Sequence, residues 1–183
     1  MDYKFVSKKL ESKSAVKSPA MSKMISQKTI DLLNYRINQE ELSSRIYLAM
    51  HLWLQDRAYF NAAKLWKKFS DEELNHANWA REFLLDYDIT PETRALEVVP
   101  NSFEGLPNIV YKTLEHETLI TKQCHELLKH SFDDLYVMPL AQKYVQEQGE
   151  EVGKAVDLVT LLENYGTDKL AVALYDHELE RFL

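Results

Sequence analysis

The sequence predicts an all-α fold: a four-helix bundle with one long crossover between the second and third helices, plus a short fifth C-terminal helix. Three observations lead there. The 183 residues contain only four glycines and five prolines, and neither occurs between Pro19 and Pro91, whereas sandwiches and barrels need a turn about every 8 to 12 residues. Apolar residues recur at steps of three and four through four long segments, the period of a helix face. A connection of about 20 residues separates the second segment from the third, long enough to run the length of a bundle.

Residues 1–24 are rich in Ser and Lys, contain Pro19 and lack apolar periodicity, which predicts a mobile or only locally ordered extension. The domain spans residues 25–183. Its first helix, about 28–56, carries the stripe Ile30, Leu33, Ile37, Glu40, Ser44, Tyr47, His51, Leu54. The second, about 60–87, carries Phe69, Glu73, His76, Ala80, Phe83, Tyr87. Pro91, Pro100, Gly105 and Pro107 break helical continuity over 88–107. The third helix, about 108–132, shows Val110, Leu114, Glu117, Thr121, Cys124, Leu128, Ser131. A break at 132–134 precedes the fourth, about 135–164, with Pro139 in its first turn and the stripe Ala141, Tyr144, Gln148, Glu151, Ala155, Leu158, Leu162. Gly166 as a stop and Thr167 as an N-cap predict a short fifth helix running to the C-terminus.

Composition removes several classes of function. The lone Cys124 cannot form an internal disulfide, a Cys-based zinc site or an iron–sulfur cluster, and it suits a reducing compartment. Net charge is −7, and six lysines against Asp2 and Glu11 in residues 1–24 leave the remainder more acidic still. Such a body repels nucleic acid. No apolar run approaches the roughly 20 residues of a membrane span, and no secretory or transit signal is legible, which makes cytoplasmic the expectation.

The stripes are interrupted by acids. Glu40, Glu73, Glu117 and Glu151 each occupy a position where leucine is expected. A buried carboxylate without compensation costs several kcal/mol, so four of them call for cations or protons. At ~1.5 Å per residue, each lies roughly 20 to 24 Å from the hairpin end of its helix, so all four share one level near mid-bundle. His76, three residues after Glu73, adds an imidazole to the same face. Oxygen donors with one imidazole suit iron or manganese, and four negative charges balance two divalent ions. Tyr47 lies one heptad from Glu40, placed to hydrogen-bond a ligand or donate an electron. The acids Glu72, Glu147 and Glu150 sit one residue off the stripes and fit a solvated face as well as a metal role.

These residues resemble the ferritins, most closely the bacterial non-haem type, over about residues 25–183. The resemblance rests on Asn38-Gln39-Glu40-Glu41-Leu42-Ser43-Ser44-Arg45-Ile46-Tyr47, Glu72-Glu73-Leu74-Asn75-His76, Glu117-Thr118-Leu119-Ile120-Thr121 and Tyr144-Val145-Gln146-Glu147-Gln148-Gly149-Glu150-Glu151. It implies a ferroxidase centre with one iron at Glu40, Glu73 and His76 and a second at Glu73, Glu117 and Glu151, Glu73 bridging. It also implies Gln148 beside the second iron, Tyr47 close to the centre, and a third, weaker iron position at Glu72, Glu147 and Glu150. The implied activity is oxidation of Fe(II) by dioxygen or hydrogen peroxide, with ferric mineral stored inside a homo-oligomeric cage of 24 subunits. Asp133 and Asp134 fall in a turn that the resemblance places near three-fold pores, a role weighed evenly against that of solvated turn residues.

The departures are informative. Gln148-Gly149-Glu150-Glu151 stands where bacterioferritins carry a second Glu-x-x-His, so a symmetric di-iron cofactor and haem are not expected. One cysteine cannot build the iron domain of rubrerythrin-like peroxidases. Gly149 and Gly153 each cost about 1 kcal/mol inside a helix, and close packing or local flexing near the metals would explain them. Two other readings stay open: a structural cage subunit with little catalysis, and a smaller dimeric di-iron oxidase acting on an organic substrate.

Overall fold

The computed structural model describes residues 21–183, so most of the 1–24 extension lies outside the described residues. Met21–Lys23, expected as part of that extension, form one 3-10 turn. Five α-helices follow: α1 Gln27–Asp56, α2 Phe60–Asp86, α3 Leu106–Ser131, α4 Met138–Tyr165 and α5 Lys169–Glu178. There are no strands among the described residues. The fold class is the one the stripes predict, with α1 packed along α2 and α3 along α4 as two hairpins.

Local chemistry sets the boundaries. Ser26 starts α1 by accepting the Thr29 amide on its hydroxyl at 3.2 Å. Gly166, at φ 93°, ends α4 in a conformation that disfavours any side chain. The N-cap of α5 is Asp168, correcting the Thr167 expectation: its carboxylate accepts the Leu170 and Ala171 amides at 2.9 and 3.1 Å. A carboxylate satisfies two orphan donors at the positive helix end, which a threonine hydroxyl does less well. Helix α4 begins at Met138 rather than 135 because the preceding turn is anchored differently. Asp134 in that turn accepts the Ser26 amide at 2.9 Å and the Thr29 hydroxyl at 2.5 Å. It is buried and hydrogen-bonded, so the expectation of a solvated turn residue does not describe it, whereas Asp133 is exposed.

The crossover runs alongside α1. Asn34 accepts the Glu92 amide at 2.8 Å and Asn38 donates to the Ala95 carbonyl at 3.1 Å, while Phe103 meets Trp53 edge to face. Helix α5 folds back on the bundle, where Asp176 accepts the Ala62 amide at 2.8 Å and caps the start of α2. Tyr175 donates to the Leu158 carbonyl at 3.0 Å.

The core comes in two blocks. One is built around Leu54, Trp66, Ile109, Leu158, Leu162 and Tyr175, the other around Leu33, Ile37, Leu84, Leu127 and Ala141. Along every long helix the in-stripe acid falls between the two. Apolar packing at both ends therefore holds the polar layer in place, and most of the burial energy comes from those ends.

Candidate metal centre

Four helices meet at the polar layer, and each contributes one acid. Glu40, Glu73, Glu117 and His76 are buried, and Glu151 is half-buried. Two donor groups overlap there. Glu40, Glu73 and His76 form one, Glu73, Glu117 and Glu151 the other, and within each group the ligand atoms lie within 4.8 Å of one another. Glu73 belongs to both. A third group joins His76, Glu147 and Glu151, with His76 Nε2 3.8 Å from Glu147 and Nδ1 3.4 and 3.5 Å from Glu73 and Glu151.

The off-stripe acids are divided by this geometry. Glu147 turns toward His76, whereas Glu72 and Glu150 join none of the donor groups found among the described residues. Glu72 instead lines a cavity of about 20 Å³ together with Tyr47, Phe69, Glu73, Glu117 and Glu151. That volume holds about one water-sized molecule. A separate cavity of about 640 Å³ lies between α1, α3 and the crossover, lined by apolar residues such as Ile46, Phe103 and Leu119 together with Lys112, Glu115, His116 and Lys122.

Neutral donors hold one side of the centre. Tyr47 donates its hydroxyl to Glu117 Oε1, and Gln148 Nε2 donates to Glu117 Oε2 at 2.8 Å. Tyr144 fixes the backbone of the ligand turn by donating to the His76 carbonyl at 2.6 Å. Such outer partners orient ligands and tune a metal site.

The electrostatics fit a site that expects cations. Burial, with Glu40 and Glu151 close by, pushes the Glu73 carboxyl well above the usual range. Burial and the Glu117 and Glu40 charges push Glu151 up to about 9. Glu117 is also raised by burial, although the Tyr47 and Gln148 hydrogen bonds work the other way. Burial lowers His76, keeping its imidazole neutral and able to ligate. Without metal, burial favours the protonated form of each of these carboxyls.

Arg36 was not singled out by the sequence reading. The residue is 2% exposed, and its Nε lies 2.7 Å from Glu40 Oε1. Burial is the largest influence and works against its charge, but Glu40 together with Cys124, Tyr144 and Glu73 offsets it, and the guanidinium is held more firmly protonated than usual. The charge balance inferred from four glutamates is corrected accordingly: the layer carries a fixed positive charge as well. The available signal was its position four residues before an in-stripe acid, where ion pairs form on a helix. His116 was also missed; it bonds Ser43 through Nε2 at 2.8 Å, and burial pulls its pKa down to about 4.

Gly149 and Gly153 are exposed, and a Cβ at either position would meet nothing within 4 Å among the described residues. Close packing within the subunit does not explain them.

Two antiparallel helix hairpins linked by one long crossover, joined at mid-height by overlapping carboxylate–histidine groups, define a carboxylate-lined helix bundle. A ferritin-like domain family model matches residues 30–164, and the chain belongs to that family. It is 29% identical over 158 residues to a probable bacterial non-heme ferritin-like protein of Haemophilus influenzae, covering 85% of this chain and 96% of that one. It is 30% identical to a bacterial non-heme ferritin of Campylobacter jejuni, over 78% and 89% of the two chains. Among solved structures, an open pore ferritin of Archaeoglobus fulgidus superposes with a TM-score of 0.81 at 30% identity, over 85% and 97% of the two chains. No helix among the described residues is long and apolar enough to cross a membrane.

Proposed function

We propose that this chain is an iron-storage ferritin subunit that oxidises Fe(II) at the centre described above and stores the ferric product as mineral inside a cage of 24 subunits. The single observation that carries this reading is the overlap of the two donor groups through Glu73 in a layer walled off by apolar packing on both sides. Glu40, Glu73 and His76 hold one Fe(II), and Glu73, Glu117 and Glu151 hold the other. Each ion gives one electron to dioxygen, which takes two protons and leaves as hydrogen peroxide, and peroxide serves in turn as a two-electron oxidant. The carboxyls, with pKa values raised by burial, surrender protons as Fe(II) enters, placing protons where reduced oxygen needs them. The small cavity lined by Tyr47, Glu73, Glu117 and Glu151 admits a molecule of that size beside the second group.

Gln148 and Tyr47 act on Glu117 rather than on iron, holding its carboxylate in the orientation the second ion requires. Glu147, close to His76, offers a transit position toward the storage cavity, and Glu72 and Glu150 remain candidates for a weaker third position. Relatives named as non-heme ferritins support this reading, as does the absence of a second Glu-x-x-His in the fourth helix.

The test combines light scattering with anaerobic Fe(II) loading and exposure to air. A cage with rapid ferric absorbance from about two irons per subunit, continuing into mineral, is the expected result. Glu73→Ala should remove the shared ligand and abolish rapid oxidation; oxidation at the unmutated rate would sink the assignment. A dimer with two irons and no mineral would support the small oxidase instead, and a cage with only slow oxidation would support a structural subunit.

A further inference from the structure

A buried arginine beside a metal ligand has a consequence for how the centre fills. Arg36 and Glu40 sit one turn apart on α1, with 2.7 Å between Nε and the carboxylate. The rest of the guanidinium is poorly provided for. Nη1 donates to Gln123 Oε1 at 2.9 Å and lies 3.9 Å from Cys124 Sγ, while Nη2 is buried without a hydrogen-bond partner. Nε itself lacks hydrogen-bond geometry despite its short distance to Glu40. Gln123 is uncharged, and burial keeps the Cys124 thiol protonated. Glu40 is therefore the one acid in ion-pair contact with Arg36 among the described residues.

A buried arginine with so few hydrogen bonds contributes through its charge. An ion held by Glu40, Glu73 and His76 would share the Glu40 carboxylate with a cation at nearly hydrogen-bond distance, in a layer where charges are weakly screened. Glu73, Glu117 and Glu151 have no lysine or arginine in ion-pair contact among the described residues: Glu117 is held by the neutral donors Tyr47 and Gln148, and Lys154, which lines the small cavity with them, acts on Glu151 only from beyond ion-pair distance.

We propose that Arg36 is a built-in cation that stands in for metal at Glu40, so that the first divalent ion settles at Glu73, Glu117 and Glu151, and the Glu40–Glu73–His76 group fills second, as Glu40 releases Arg36. The inference rests on the metal-centre reading above. It makes Arg36 a positioning residue that ranks the two halves of the centre, and it keeps Glu40 from standing as an unpaired buried charge while the centre is empty.

Zn(II), which does not change oxidation state, is the probe, used with the full assembled protein. Crystals of the unmutated protein equilibrated with one Zn(II) per subunit should show anomalous scattering mainly at Glu73, Glu117 and Glu151. Equal or greater occupancy at Glu40, Glu73 and His76 would overturn the inference. In Arg36→Gln, chelator competition should show the Glu40 group binding Zn(II) at least about tenfold tighter, whereas Arg36→Lys, which keeps the charge, should stay within about threefold of the unmutated protein. An unchanged or weakened affinity in Arg36→Gln would also overturn it. If Arg36→Gln folds only with Zn(II) present, the metal is replacing the arginine charge, in support. If it does not fold at all, the site order in the unmutated protein decides. Failure of the unmutated protein to bind Zn(II) at these acids would instead sink the metal-centre reading itself.

Discussion

Filling the metal centre should expel protons, and the number follows from the structure. Arg36 neutralises one of the four glutamates by pairing with Glu40, leaving Glu73, Glu117 and Glu151 to be charged, protonated or metal-bound. With Glu151 pushed up to about 9, it is about 99% protonated at pH 7. Glu73 is raised well above its usual range and Glu117 is raised as well. The cluster titrates as a unit, so the empty centre holds at least about one proton per subunit at pH 7, with three acids setting the ceiling. Loading Zn(II) to saturation at pH 7 should release a number in that range. Calorimetric titrations in buffers of different ionisation enthalpy give the count directly, and release should be smaller at pH 8 than at pH 6. The same linkage sets the stability of the metal-free protein. These folded-state values lie above the unfolded carboxyl value near 4.5, so the stabilisation from bound protons is complete below pH ~4.5 and is lost as pH rises toward 9. The melting temperature of the metal-free protein should accordingly fall between pH 5 and 9, and Zn(II) should flatten that slope. Release of less than half a proton per subunit at pH 7 would refute the reasoning, because the acids would then be ionised without metal.

Gln148→Met removes the 2.8 Å donor to Glu117 and should weaken Zn(II) binding at Glu73, Glu117 and Glu151 about 10- to 100-fold, measured by chelator competition. Gly149→Ala and Gly153→Ala, at exposed helical positions with open space around the new Cβ, should each stabilise the fold by about 0.5 to 1 kcal/mol in denaturant titrations; a loss of stability would show that these glycines serve a contact beyond the subunit. Asp176→Ala removes the cap on the Ala62 amide and should cost about 1 kcal/mol, with faster amide exchange in α5 and at the start of α2.

The sequence by itself determined the helices and the level of the acids. Both are one-dimensional properties: a seven-residue stripe fixes which face of a helix is buried, and counting residues from a hairpin turn fixes height, so Glu40, Glu73, Glu117 and Glu151 could be placed in one layer before any packing was known. The crossover was legible in the same way, from four helix-breaking residues within twenty positions. Tertiary structure alone decided which side chains reach across from one helix to another. It brought Glu147 within 3.8 Å of His76 and left Glu72 and Glu150 outside the donor groups; it set Asp176 over the first turn of α2 and Asp134 against Ser26 and Thr29; and it enclosed Arg36 beside Glu40. Such pairings depend on interhelical distance, rotamer and the volume left by neighbours, none of which a stripe encodes. The acids were readable because they broke a pattern. Arg36 was not, because an arginine at the edge of a stripe is normally free to reach water, and only the closure of α3 over α1 seals it in.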